Sequence, residues 1–219
     1  MDGLHGKKGC LVFENFKSFS NDIGNEVKES NQSDFPKFFE HSKQDMDASN
    51  IEPMSYSEKV DKQNHELDAV ESGEKPFDRE NTHEVGNYGE MKTDQDLREK
   101  GYKRISNDMV TDIDENGHQG LDGVYYNEKG SPQYIIVDAK YGSAKLNPNT
   151  ADGKQMCENW IDKRLDKDLG KEKADEIRME KLLNPDNVGA YVAHVEEDGK
   201  VSYDKLDENA NVVERGVDL

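Results

Sequence analysis

Apolar positions along the chain follow two periods, and each period predicts one kind of element. Residues 87–100, 153–169 and 171–183 carry apolar side chains at helical spacing, and Gly101 and Asn184 are helix-ending residues after two of these segments. Alternating or continuous apolar runs predict strands over residues 102–105, 109–113, 121–127, 133–140, 188–195, 201–206 and 212–217. The order of these elements predicts the α/β class, with a mixed sheet flanked by helices.

The first 80 residues have a different pattern. They hold 18 acidic and 10 basic side chains, and their apolar residues come in short bursts such as Phe35, Phe38 and Phe39. Residues 42–79 contain almost no apolar repeat, which is typical of segments that cannot bury enough apolar surface to fold. We therefore predict an acidic, largely irregular N-terminal region over residues 1–80, linker-like or partly disordered and dispensable for the chemistry of the chain. The folded domain is predicted over residues 81–219.

A predicted hairpin brings two acidic residues together. The strands 121–127 and 133–140 are joined by turn residues centred near Gly130, so they pair antiparallel and position 122 lies opposite about position 138. Asp122 and Asp138 are therefore expected side by side. Since side chains alternate along a strand, Lys140 projects from the same face as Asp138.

Two carboxylates and a lysine at one end of a strand suit a hard divalent cation. Mg²⁺ binds one or two carboxylates and keeps positions for water and phosphate oxygens, and an ammonium group can stabilise charge on a phosphate. On spacing alone, an Asp–Lys ion pair at a solvated strand end is the simpler interpretation, because 35% of all residues are charged.

Composition and charge exclude several classes. The formal net charge is −19 and 32% of residues are hydrophobic, and no apolar run is long enough to span a membrane. The first residues lack the charged and apolar regions of a signal peptide, so we expect none. Cys10 and Cys157 do not make a disulfide framework. No basic block predicts non-specific DNA binding, although residues 138–182 are neutral, with ten basic and ten acidic side chains.

The stretches Gly120-Leu121-Asp122-Gly123-Val124 and Ile136-Val137-Asp138-Ala139-Lys140 resemble the PD-(D/E)xK phosphodiesterase superfamily. The resemblance implies a restriction-endonuclease-like fold, whose core order of helix, three-strand meander, helix and strand agrees with the predicted elements. It implies Asp122 and Asp138 as the two metal-binding acids and Lys140 as the catalytic lysine. Many members add a glutamate on the first core helix, and Glu90 falls at that position. The implied cofactor is Mg²⁺ or Mn²⁺.

A narrower resemblance covers roughly residues 84–195. The string from Val137 to Leu146, followed by Gly153-Lys154-Gln155-Met156, is similar to C-terminal toxin domains of bacterial polymorphic and contact-dependent inhibition toxins. It implies a nuclease that cleaves DNA or RNA, tRNA included, and is neutralised by a cognate immunity protein. It also implies delivery by a specialised route and action in the cytoplasm of the target cell. Gln155 is then a catalytic residue, and Lys145 and Lys154 are substrate-binding residues.

Two other functions stay open at this point. An acidic chain of this kind also suits a non-catalytic interaction protein that binds a basic partner. A housekeeping nuclease for repair or recombination, with the same fold, is the third interpretation. Toxicity on expression separates it from a toxin.

Overall fold

Six strands form one mixed sheet in which neighbours in space are also neighbours in sequence. The computed structural model describes residues 53–117 and 120–219, so the prediction for residues 1–52 lies outside the described residues. The strands are β1 (Lys103–Arg104), β2 (Gly123–Tyr126), β3 (Tyr134–Tyr141), β4 (Val188–Val195), β5 (Val201–Leu206) and β6 (Val212–Val217). The helices are α1 (Tyr56–Glu71), α2 (Thr82–Glu99), α3 (Glu158–Leu169) and α4 (Lys171–Leu183), with a 3₁₀ turn at Pro185–Asn187. The predicted α/β class is confirmed.

The two faces of the sheet pack against different helices. Ile136 and Val192 point to one face and form a core with Trp160 and Leu165 of α3 and Ile177 of α4. The alternate residues of the same strands point to the other face and pack with the buried Leu97 of α2. They are Ile135, Val137, Tyr191 and Ala193. This alternation is what a strand period of two requires when both faces are covered. Trp160 is therefore a core residue.

Strand pairing confirms the predicted hairpin. In the antiparallel pair of β2 and β3, Gly123 lies opposite Val137 and Tyr126 lies opposite Tyr134. The same register, continued by one residue, places Asp122 opposite Asp138. By contrast, β3 and β4 are parallel, and α3 and α4 form the connection between them. Parallel strands need such a long crossover, whereas antiparallel strands can be joined by a short turn.

The linker-like interpretation of residues 42–79 is wrong over helix α1. Ser55 caps this helix in a reciprocal capping box with Glu58, and α1 buries Gln63, Leu67 and Val70 against the rest of the fold. Leu67 and Val70 pack with Met91 of α2 and other residues of a separate small core. The signal was weak because three inward side chains at helical spacing, one of them a glutamine, give little apolar periodicity. The boundary predicted between residues 80 and 81 therefore falls inside a packed body.

The strand predicted over residues 109–113 is absent from the described structure. Val110 and Ile113 are buried, but their backbone groups bond to side chains instead of to a neighbouring strand. The Val110 carbonyl accepts from Gln63 Nε2 at 2.7 Å, and the Ile113 carbonyl accepts from Asn87 Nδ2 at 2.8 Å. Side-chain donors thus satisfy buried carbonyls that would otherwise need a strand partner.

Helix α3 begins five residues later than predicted, at Glu158. Gly153 and Met156 have positive φ angles of 107° and 68°, which interrupt any helix before that point. Lys154 and Gln155 therefore lie in a loop and not in the first turn of a helix. Within the described residues, no helix has the length and apolar character that a membrane span requires.

Candidate active site

Asp138 lies at the centre of a polar cluster near the end of β3. Its side chain is 1% exposed, and both carboxylate oxygens are engaged. Oδ1 accepts from Gln155 Nε2 at 2.5 Å, and Oδ2 forms an ion pair with Lys140 Nζ at 2.5 Å. Three of the residues predicted for catalysis are thus brought into direct contact.

Asp122 is fixed beside this cluster by backbone contacts. Its Oδ2 accepts from the Ala139 N–H at 2.9 Å, as expected for a residue facing the Asp138 position across the hairpin. Its carbonyl accepts from Arg104 Nη2 at 2.6 Å. The preceding residue, Leu121, donates its N–H to Asp168 Oδ2 of α3 at 2.7 Å. The backbone around Asp122 is therefore held from both faces of the sheet.

Glu90 reaches the same cluster from helix α2. Its Oε2 is shielded from solvent, and burial raises the pKa of Glu90 well above its usual value, with a further increase from the negative charge of Asp122. Asp138 also raises it, while Arg104 acts in the opposite direction. Like charges act on one another in this way at short range, so Asp122 and Asp138 lie close enough to Glu90 to affect its ionisation.

The pKa values of Asp138 and Lys140 are both raised, for different reasons. Burial raises the pKa of Asp138 to about 8, and the neighbouring Asp122 adds to the increase, while Lys140 lowers it. Burial of Lys140 opposes its charged form, but the carboxylates of Asp138 and Asp122 raise its pKa above the usual value. A buried acid that titrates near neutrality beside a permanent cation is typical of functional sites.

Gln155 owes its position to the loop that precedes α3. Its backbone N–H donates to the Asn147 carbonyl at 2.9 Å, and its Oε1 accepts from the Asn147 N–H at 2.9 Å. With the Oε1 atom fixed in this way, the amide nitrogen is directed at Asp138. The loop therefore replaces the helix terminus that sequence reasoning assigned to this residue.

The two predicted substrate-binding lysines lie in different surroundings. Lys145 is exposed in the loop after β3. Lys154 is partly buried, and its ammonium group donates to the Ala210 carbonyl at 2.5 Å, in the turn between β5 and β6. The ammonium group of Lys154 is thus engaged in a contact within the fold, and the geometry does not support its predicted contact with phosphate.

Four further residues support the cluster from α1, α2, β1 and β2, and three of them, Gln63, Asp94 and Arg104, were missed from the sequence. Asp94, one turn after Glu90 on α2, forms a buried ion pair with Arg104, Oδ1 to Nη1, at 2.9 Å. Its other oxygen accepts from Gln63 of α1 at 2.8 Å, and Tyr125 donates its hydroxyl to Asp94 Oδ1 at 2.6 Å. The spacing of Glu90 and Asp94 on one helix face was visible in the sequence, but their partners come from distant elements.

The predicted metal set is not already arranged as a ligand cage. In the part of the chain that the structure describes, no three His, Cys, Asp or Glu side chains are grouped in a metal-binding arrangement. The reason is local, because the oxygens of Asp138 are turned to Gln155 and Lys140. The chemistry of the donors nevertheless fits Mg²⁺ or Mn²⁺, since Glu90, Asp122 and Asp138 offer hard oxygen ligands and, when ionised, three negative charges against the one of Lys140.

Comparisons of the chain with protein-family models, with curated proteins and with solved structures found no match in any of the three. The assignment of a function therefore depends on the geometry of the cluster itself.

Proposed function

We propose that this protein is a metal-dependent nuclease with a restriction-endonuclease-like arrangement of its sheet. The observation that carries the proposal is the meeting of the Asp122–Asp138 hairpin pair with Lys140 and with Glu90 of α2. These acids stand on separate elements, and the charge of each acts on the same lysine. A purely structural salt bridge needs one acid for one base, and here Asp138 contacts Lys140 while the negative charges of Asp122 and Glu90 also raise the pKa of this lysine.

Each residue has a role in this proposal. Glu90, Asp122 and Asp138 would hold Mg²⁺ or Mn²⁺, which supplies a Lewis acid and a water molecule of lowered pKa. Lys140 places a positive charge where the phosphate and its developing negative charge would lie. Gln155 holds Asp138 by its Oδ1 atom, which fixes the orientation of the carboxylate. The substrate is DNA or RNA, and the product is a hydrolysed phosphodiester.

We further propose that this nuclease acts as an antibacterial toxin, delivered to the cytoplasm of a target cell and neutralised by a cognate immunity protein. This step is supported by the sequence string around Lys140 and Gln155. A housekeeping nuclease of the same fold is tolerated by the cell that expresses it, whereas a toxin without its immunity protein is not. Growth of a bacterial host after induction of the wild type and of Asp138→Asn separates the two functions.

The decisive experiment is incubation of the purified full chain with plasmid DNA and with total RNA, in Mg²⁺, in Mn²⁺ and in EDTA. We expect cleavage of one nucleic acid with metal, none in EDTA, and none by Asp138→Asn. Asp186→Asn is the matched control, because Asp186 is exposed and lies just before β4, remote in sequence from the cluster. Absence of cleavage under all conditions would reject the nuclease and favour the non-catalytic acidic interaction protein.

A further inference from the structure

A histidine lies next to Lys140 on the neighbouring strand. In the parallel pair of β3 and β4, Lys140 is the register partner of His194. Adjacent strands are about 4.8 Å apart, and register partners project from the same face of a sheet. The face that carries Asp138 and Lys140 on β3 thus continues with His194 on β4. The His194 side chain is 39% exposed, so it is open to a ligand from solvent.

An acidic residue on β5 fixes the imidazole of His194. Asp204 Oδ2 lies 3.2 Å from His194 Nε2, and the Asp204 side chain is 7% exposed. Arg215 Nη1 donates to Asp204 Oδ2 at 2.8 Å, and the Gly216 N–H donates to Asp204 Oδ1 at 3.1 Å. A carboxylate held in this way orients the ring by one nitrogen. When the ring carries both protons, Nδ1, the nitrogen that Asp204 does not contact, donates a hydrogen bond to a ligand.

Basic residues follow one another across three strands of the sheet. The chain carries a net charge of −19, yet Lys140, His194 and Arg215 stand on β3, β4 and β6 with Asp204 between the last two. The Arg215 side chain is 76% exposed. Oxyanions such as phosphate diesters are the ligands that such a row attracts, and local contacts of this kind matter most where the overall charge repels nucleic acid.

We propose that His194 binds a phosphate oxygen of the nucleic-acid backbone beside Lys140, and that Asp204 is the positioning residue that holds the imidazole for this contact. The proposal rests on the proposed function, and it adds a substrate-binding residue on β4 that has no metal-binding role. A purely structural contact between His194 and Asp204 would contribute to stability and leave substrate binding unaffected.

Two measurements on His194→Ala test this contact. The first is the kcat and KM for nucleic-acid cleavage in Mg²⁺. The second is the dissociation constant of a short fluorescein-labelled oligonucleotide, as DNA and as RNA, measured by anisotropy in EDTA at low ionic strength. Loss of one charge-assisted hydrogen bond predicts KM and Kd raised about tenfold to a hundredfold, with kcat within a few-fold of the wild type. Thermal unfolding should stay close to wild type, because the side chain is partly exposed.

The controls separate charge, position and stability. His65→Ala removes an exposed histidine of α1 and should leave both constants unchanged. His194→Lys restores a cation at the same strand position and should recover part of the lost affinity. Asp204→Asn keeps the shape but weakens the hold on the ring, so it should raise KM less than His194→Ala does.

The outcomes distinguish this proposal from the proposed function. If the wild type cleaves and His194→Ala matches its KM and Kd, the nuclease stands and the role of His194 is rejected. If the wild type binds oligonucleotide through His194 but cleaves none, the binding site stands and the nuclease is rejected. If the wild type neither binds nor cleaves, both proposals are rejected.

Discussion

Arg104 joins Asp122 to helix α2. One arm of its guanidinium, Nη2, donates to the Asp122 carbonyl at 2.6 Å, and the other, Nη1, pairs with Asp94 at 2.9 Å. Both charged side chains of this pair are at most 2% exposed. Because Asp94 stands one turn from Glu90, the arginine sets the distance between the helix acid and the hairpin acid. Gln63 of α1 bonds to Asp94 and extends the same network to the helix that precedes the sheet.

The first prediction is that Arg104→Met strongly destabilises the fold. The change leaves Asp94 buried without its cation, and breaking a buried pair on one side costs about 3–5 kcal/mol. Arg79→Met is the control, since Arg79 pairs with Glu197 on the surface and such pairs contribute about 0–1 kcal/mol. Urea denaturation measures both values, and equal losses for the two variants would contradict the role given to Arg104.

The second prediction concerns where the folded unit begins. A fragment of residues 82–219 lacks α1 and exposes the side chains that Leu67 and Val70 cover, and each of these two residues contributes about 1.5–3 kcal/mol by burial. We expect this fragment to unfold at markedly lower urea concentration than a fragment of residues 51–219. If the two fragments unfold at the same urea concentration, α1 contributes nothing to the folded unit.

The third prediction follows from the raised pKa of Asp138. Between about pH 4 and pH 8 the folded chain holds a proton that the unfolded chain has released, so the free energy of unfolding falls as the pH rises. Asp138→Asn removes this penalty. The variant also loses the ion pair with Lys140, so the prediction concerns the pH dependence: measured without divalent cations, its melting temperature relative to the wild type should be higher at pH 8 than at pH 4 by at least about 2–4 °C, equivalent to about 1 kcal/mol. The difference should shrink towards pH 4, and a constant difference across this range would show that Asp138 ionises normally.

The fourth prediction separates the lysine from the acids. Lys140→Ala should lower cleavage by about 10²–10³, the loss seen when one preorganised donor is removed from other enzymes. It should keep its affinity for Mn²⁺, because an ammonium group repels a cation and is not a ligand to it. Asp138→Ala should lose both properties. Calorimetry measures the affinity for Mn²⁺, and the cleavage assay measures the rate. Lys129→Ala, at an exposed position, is the control. Near wild-type cleavage by Lys140→Ala would reduce this residue to an ion-pair partner.

The fifth prediction uses two glycines as a matched pair. A Cβ at Gly120 would lie 2.8 Å from Asp168 Oδ2, in the contact that anchors Leu121 beside Asp122. Gly120→Ala should therefore destabilise the fold by about 1–3 kcal/mol. Gly86 lies in α2 with open space around it, so Gly86→Ala should stabilise the fold by about 0.5–1 kcal/mol. Thermal unfolding of both variants shows whether the stability of each rises or falls relative to the wild type.

Much of the sheet could be predicted because its information is local. The pairing of positions 122 and 138 follows from a short turn and the alternation of side chains, and the strands β4, β5 and β6 follow from apolar runs between turns. Helix α1 was missed because its inward face holds Gln63, whose partners are a carboxylate of α2 and a backbone carbonyl near residue 110. Such pairs are specified by tertiary packing and leave no periodic trace in the sequence.

In the candidate site too, the residues from one hairpin could be predicted from the sequence, whereas those that depend on distant elements could not. Asp122, Asp138 and Lys140 come from one hairpin, and Glu90 entered through resemblance. His194 was visible as a polar residue at the end of an apolar strand, but its place beside Lys140 depends on the parallel register of β3 and β4. The sequence pattern predicts both crossover helices, α3 and α4, but it does not show how they pack on the sheet and so leaves this register open.

The parallel pairing of β3 with β4 also affects the order in which the contacts of the site form during folding. Asp122 and Asp138 meet across a short turn, whereas Lys140 meets His194 only after the intervening helical segment has folded back onto the sheet. Contacts distant in sequence close later because more chain entropy must be lost. We therefore expect refolding to restore ellipticity before it restores cleavage, with a measurable lag between them. Under the proposed function, a chain that is still extended would therefore bring its paired acids together before it could bind a substrate across β3 and β4, and it would be inactive until then.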